Sequence, residues 1–126
     1  LDPTFHVRIG QALNKLRSEN LLILGSGFSF HNMQALMSKH DDLIDERNQE
    51  FETWLAQTCC DKNLSEAERE ARLAGWEFAP HARYCHPREE HLLPLHVCYG
   101  IAQQGAEIVF QDQVAGFIAS AYQWSR

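Results

Sequence analysis

The chain has 126 residues, 44% hydrophobic and 22% charged, which gives enough apolar mass for one packed domain and too much for intrinsic disorder. Eleven Lys and Arg stand against 17 Asp and Glu, a net charge of −6, so no basic stripe is available for nucleic-acid phosphates. No apolar run approaches the roughly 20 residues of a bilayer span, and Leu1-Asp2-Pro3 lacks the features of a signal peptide. A membrane or export role is disfavoured and a cytoplasmic setting expected. Cys59, Cys60, Cys85 and Cys98 show no CxxC spacing, as suits reduced thiols.

In chain order, Asp2 and Pro3 form a helix start, with Asp2 as cap and Pro3 where no donor is needed. Phe5, Ile9, Ala12, Leu13 and Leu16 then recur at helical spacing through about Arg17. The wholly apolar Leu21-Leu22-Ile23-Leu24 predicts a buried strand of an α/β sheet, ended by Gly25-Ser26-Gly27. Asn32 to about Lys39 predicts a helix, and Leu43 to Thr58 a longer amphipathic one. Ser65-Glu66-Ala67-Glu68 is a capping box opening a helix through about Trp76. Phe78 to Tyr84 reads as a loop. Pro87 restarts helix to about Gln103, with Pro94 kinking it. Ile108-Val109-Phe110 and Val114 to Trp124 predict strands. Together these form one α/β unit.

Seven histidines are candidates for chemistry. His81, His86, His91 and His96 follow one another at five-residue intervals, which on a helix is roughly 140° of rotation, so they share no face and form no HExxH-type site. The ordinary reading for these residues is exposure or a structural hydrogen bond. His91 stands apart, with Glu89 and Glu90 before it to orient its ring, as suits a metal ligand. His31 stands apart too, after the Gly-Ser-Gly turn and between Phe28 and Phe30, which predict an apolar pocket wall around an imidazole able to move protons near neutral pH. Capping the helix at Asn32 is an equal alternative for it. Ser26 lacks the GxSxG setting of a nucleophile, Cys85 beside His86 is no dyad, and Trp54, Trp76 and Trp124 read as packing.

Three stretches in order are more specific than any single residue: Gly25-Ser26-Gly27-Phe28-Ser29-Phe30-His31-Asn32-Met33, then Ala82-Arg83-Tyr84-Cys85-His86-Pro87-Arg88-Glu89-Glu90-His91-Leu92-Leu93-Pro94-Leu95, and the ending Ser120-Ala121-Tyr122-Gln123-Trp124. They resemble the class III (LigB-like) extradiol ring-cleavage dioxygenases, in the branch containing the DOPA extradiol dioxygenases. The resemblance runs over essentially the whole chain. It implies an α/β fold in which 1–126 is the C-terminal half of a single LigB-like catalytic domain, a central sheet flanked by helices. It also implies a non-haem Fe(II) enzyme (with Zn able to replace iron in crystals) that opens a catechol-type ring with O2 beside the two hydroxyls.

On the matching motif positions, His31 is implied as the acid/base and His91 as a metal ligand, with Glu90 as the fallback ligand. Family members are about twice this length and carry two further histidine ligands in their N-terminal half, so that half is an implied partner, as a separate chain or as another segment. A homodimer is also implied. The rival readings are a metal-binding or inactive scaffold, a metal-dependent hydrolase with His31 as base, and an interaction module.

Overall fold

The computed structural model describes residues 1–125. Helix α1 spans Pro3–Leu13 and runs on as a 3-10 turn, Asn14–Ser18. The Asp2 carboxylate accepts the Thr4 amide at 2.9 Å, and Pro3 occupies the first helical position, where an amide would have no partner. Helix α2 (Met33–Ser38) is capped by Asn32, and α3 (Glu46–Cys60) by Asp45, which accepts the amides of Arg47 and Asn48. Helix α4 (Glu66–Ala74) begins with the expected capping box, in which Ser65 and Glu68 satisfy each other's backbone amides. A 3-10 turn at Trp76–Phe78 leads to the short α5 (Ala82–Cys85), then α6 (Leu93–Ala102). Strands β1 (Glu107–Val114) and β2 (Phe117–Gln123) pair antiparallel, with one irregularity between Ile108 and Phe110.

Two packings organise these elements. Helix α1 lies along α6, with Gly10 facing Gly100 so closely that a Cβ on Gly10 would lie 2.6 Å from the Gly100 Cα. Helix α3 lies on β2, burying Phe51, Leu55 and Cys59 among Phe30, Leu73, Trp76 and Phe117. Asn48 on α3 acts like a short piece of strand. Its side-chain amide donates to the Ile118 carbonyl at 2.9 Å, and its oxygen accepts the Ile118 amide at 2.8 Å. The buried Arg69 guanidinium satisfies free carbonyls at the C-terminal end of α3, donating to Thr58 at 2.7 Å and Asp61 at 2.8 Å.

Four expectations need correction. Leu21–Leu24 is extended but neither buried nor paired: Leu22 and Leu24 are 84% and 81% exposed, and among the described residues the sheet consists of β1 and β2 alone. A run apolar on both faces needs sheet neighbours and cover that these residues do not provide. Helix α6 starts at Leu93, not Pro87, so Pro94 lies in its first turn, where the missing amide costs no hydrogen bond and no kink follows. The stretch read as a loop contains α5, entered through His81 in the left-handed region at φ 55°. Val114 belongs to β1, and a two-residue turn, Ala115-Gly116, separates the strands. Among the described residues no helix is long and apolar enough to cross a membrane, and all four cysteines are free.

Candidate functional site

The segment between the glycine turn and α2 is stitched onto the segment that enters α6. The Phe28 amide donates to the His91 carbonyl at 2.8 Å, the His31 amide to the Cys85 carbonyl at 2.9 Å, and the Asn32 side chain to the Tyr84 carbonyl at 2.8 Å. Glycine is required for this approach. A Cβ on Gly27 would overlap the His91 carbonyl oxygen, and one on Gly25 would lie 2.6 Å from Cys98 Sγ. The Gly-Ser-Gly turn therefore brings its backbone against the segment of residues 91–98.

This seam brings together the two histidines singled out from the sequence, 60 positions apart in the chain. The His31 and His91 rings stack with centroids 3.6 Å apart and planes inclined by 17°. The helix cap is Asn32, whose side chain accepts the Ala35 amide at 3.0 Å, so the capping alternative for His31 falls away. His31 is half-buried and His91 exposed. Loss of hydration, and next the neighbouring His91, lower the His31 pKa from its ordinary value, while Glu90 opposes the shift weakly. Glu90 is itself engaged by Arg88 at 2.7 Å. Glu89 is held by Arg83 at 3.1 Å.

The stack limits what the pair can hold. A metal ion sits in the plane of an imidazole that ligates it, at about 2.0–2.1 Å. Two planes inclined by only 17° and stacked at 3.6 Å do not meet at that distance, so one ion cannot take both rings. Among the described residues no group of three or more His, Cys, Asp or Glu side chains could hold a metal ion. The residues described here do not by themselves make a metal centre.

The other histidines follow the ordinary reading. His81 is exposed and pairs with Glu50 at 3.0 Å, while His86 and His96 are fully buried. His86 donates through Nε2 to the Ser29 carbonyl, and His96 to the Leu73 carbonyl, each at 2.7 Å. Burial pushes the His86 pKa down to about 4 and lowers that of His96. Phe30 is a correction: it lies in the core, stacked on Phe117 at 4.2 Å. Phe28 alone lines a cleft of about 600 Å³, to which His91, Leu95, Val109 and Tyr122 also contribute. The sequence reading missed Glu52, a fully buried carboxyl whose only signal was a charge on the inner face of α3.

The packed helices and short sheet form an α/β unit in which two sequence motifs meet at a histidine pair. The chain belongs to the LigB family: residues 1–119 match the catalytic LigB subunit of aromatic ring-opening dioxygenase. It is 35% identical to "Dioxygenase tasH" of Hapsidospora irregularis, over 98% of this chain and 40% of that protein. It is 34% identical to a "4,5-DOPA dioxygenase extradiol-like protein" of Schizosaccharomyces pombe (89% and 37% covered). It is 30% identical to the "4,5-DOPA dioxygenase extradiol" of Beta vulgaris (94% and 43% covered). The chain thus spans about two fifths of the length of these relatives. In fold it is similar to an uncharacterised Escherichia coli K12 protein, JW3007, with a TM-score of 0.76 at 18% identity, covering 95% of this chain and 50% of that one.

Proposed function

We propose that this chain is the C-terminal part of an extradiol dioxygenase that opens a catechol-type ring with O2 at a non-haem Fe(II) site. The observation that carries the reading is the stacked pair, His31 on His91, in a chain of the LigB family. His91 supplies one imidazole donor, and the remaining donors come from an N-terminal half. Two features support that completion: the described residues gather no set of three donors, and Leu21–Leu24 is an exposed, unpaired apolar run. His31, depressed by desolvation and by His91, is neutral near pH 7 and is the acid/base. It takes a phenolic proton from the bound catechol at a ring nitrogen and returns a proton later in the cycle. The Phe28 side of the cleft keeps water from the reacting ring.

The test uses the intact polypeptide as its gene encodes it. Fe(II) and a catechol are added without oxygen, and oxygen is then admitted. A yellow ring-opened product with one O2 consumed per ring is the expected result. Bound iron with neither oxygen uptake nor product would sink the proposal in favour of an inactive scaffold. Turnover without oxygen would favour a hydrolase.

A further inference from the structure

Behind the histidine pair lies a buried polar frame that the proton chemistry does not use directly. Glu52 comes from the inner face of α3, one turn after Asn48, and is 2% exposed. Its Oε2 accepts the Ser120 hydroxyl of β2 at 2.7 Å, while its Oε1 has no hydrogen-bond partner among the described residues. The Ser29 hydroxyl accepts the Ser120 amide at 2.8 Å, and the Ser29 carbonyl accepts His86 Nε2–H at 2.7 Å. Ser29 is therefore held from two sides, by Ser120 of β2, which Glu52 braces in turn, and by the residue that ends α5. Two residues further on, the backbone delivers His31, whose amide is fixed to Cys85.

We propose that Glu52, acting through Ser120 and Ser29, sets the position of the His31 ring over His91 and is a positioning residue for the proton transfer. The inference rests on the function proposed above. The geometry favours this role over simple core packing. A buried carboxyl costs several kcal/mol to desolvate, and an apolar side chain would fill α3's inner face without that cost. Glu52 instead spends its observed hydrogen bond on Ser120, whose amide holds the Ser29 hydroxyl of the catalytic segment. Glutamine keeps an oxygen able to accept the Ser120 hydroxyl, so it is the conservative replacement at this site.

The experiment compares E52A, E52Q and S29A in the intact polypeptide, reading steady-state ring cleavage and, in metal-free protein, the imidazole NMR titration of His31. E52A is expected to lower kcat about tenfold or more with KM within about twofold, because small misplacements of a proton-transfer group are costly. It should also displace the His31 titration, while E52Q restores both. Should E52A fail to fold, S29A, which removes one oxygen atom from the same link, is read in its place with the same expectations. A His31 titration and kcat unchanged in the folded variant would overturn the inference. So would equal losses in E52A and E52Q. If the wild-type protein cleaves no catechol, the proposed function fails separately, and the His31 titration alone decides for or against Glu52.

Discussion

His86 and His96 lie fully buried with Nε2 against a backbone carbonyl, whereas His31 and His91 lie face to face where the chain meets solvent. His86, His91 and His96 are five residues apart, so spacing does not separate the two kinds. Their difference lies in what each ring nitrogen meets. A ring committed to a carbonyl has its tautomer set and no room for substrate, and it serves the fold. A ring that faces another imidazole near solvent, with no buried carbonyl of another element fixing it, can serve chemistry. The comparison teaches that hydrogen-bond commitment, not count or clustering, marks a functional histidine in this chain.

The comparison breaks most sharply if the exposed pair is dispensable. His31→Ala should lower ring cleavage by about 10²–10⁴-fold while leaving bound iron intact, the range general acid–base catalysis spans. His91→Ala should lose metal first. Metal analysis beside steady-state rates checks both, and iron loss in the His31 variant would contradict the assigned roles. Next in size is Gly27→Ala. Its new methyl would overlap the His91 carbonyl, so the seam must open and carry the two rings apart. A displacement of that kind costs on the order of 10²-fold in rate. A crystal structure of the variant with the stack intact, and a normal rate, would remove the seam from the argument.

The buried pair should answer to pH and to stability instead. His86 is neutral in the fold with a pKa near 4, against an ordinary value of 6.5, because burial disfavours its charged form. Its contribution is fully present above the unfolded pKa. The unfolded chain binds the extra proton first as pH falls below about 6.5, and the contribution is gone once pH passes the folded value. For His86 the loss across that window is about 3 kcal/mol at most, with His96 adding in the same direction. Urea unfolding between pH 7.5 and 4.5 reads the slope. His86→Ala should flatten it while costing about 2–4 kcal/mol at pH 7, from the cavity and the orphaned Ser29 carbonyl. An unchanged slope would show that His86 does not titrate with unfolding.

Much of the site was legible because it is written locally. The caps at Asp2 and Ser65 are side-chain-to-amide bonds within three residues, and the structure has both, whereas the cap of α2 is Asn32 and not the His31 offered as its alternative. His31 and His91 were found through motifs whose residues are neighbours in sequence. What sequence could not carry was long range. Nothing in Gly25-Ser26-Gly27 says that its close approach is to residues 91–98, nor that Phe30 turns into the core while Phe28 faces the cleft. Pro94 was misread for a related reason: proline is as compatible with a helix's first turn as it is disruptive further in, and local pattern does not say which turn it occupies. Leu21–Leu24 was read as buried from composition alone, yet burial is a property of neighbours, which this run lacks among the described residues.

The smallest expected effect lies farthest from either pair, at the hairpin turn. Ala115 has φ 52° and Gly116 φ 84°, the double left-handed geometry by which two-residue turns match the twist of paired strands. Alanine carries a Cβ into a region that costs an L-residue about 1–2 kcal/mol, whereas glycine adopts it freely at some cost in unfolded-chain entropy. Ala115→Gly should therefore raise stability by only about 0.5–1 kcal/mol. Ala115→Asn should do similarly, because Asn tolerates this region and loses less entropy. Neither change reaches Ser29 or the histidine seam, so the acid slope set by His86 and the His31–His91 contact should both stay as they are. Denaturant melts of the two variants at pH 7.5 and 4.5 test this. Parallel upward shifts at both pH values are expected, and a shift that grows or vanishes at the lower pH would mean that the hairpin is coupled to the buried histidines through β2.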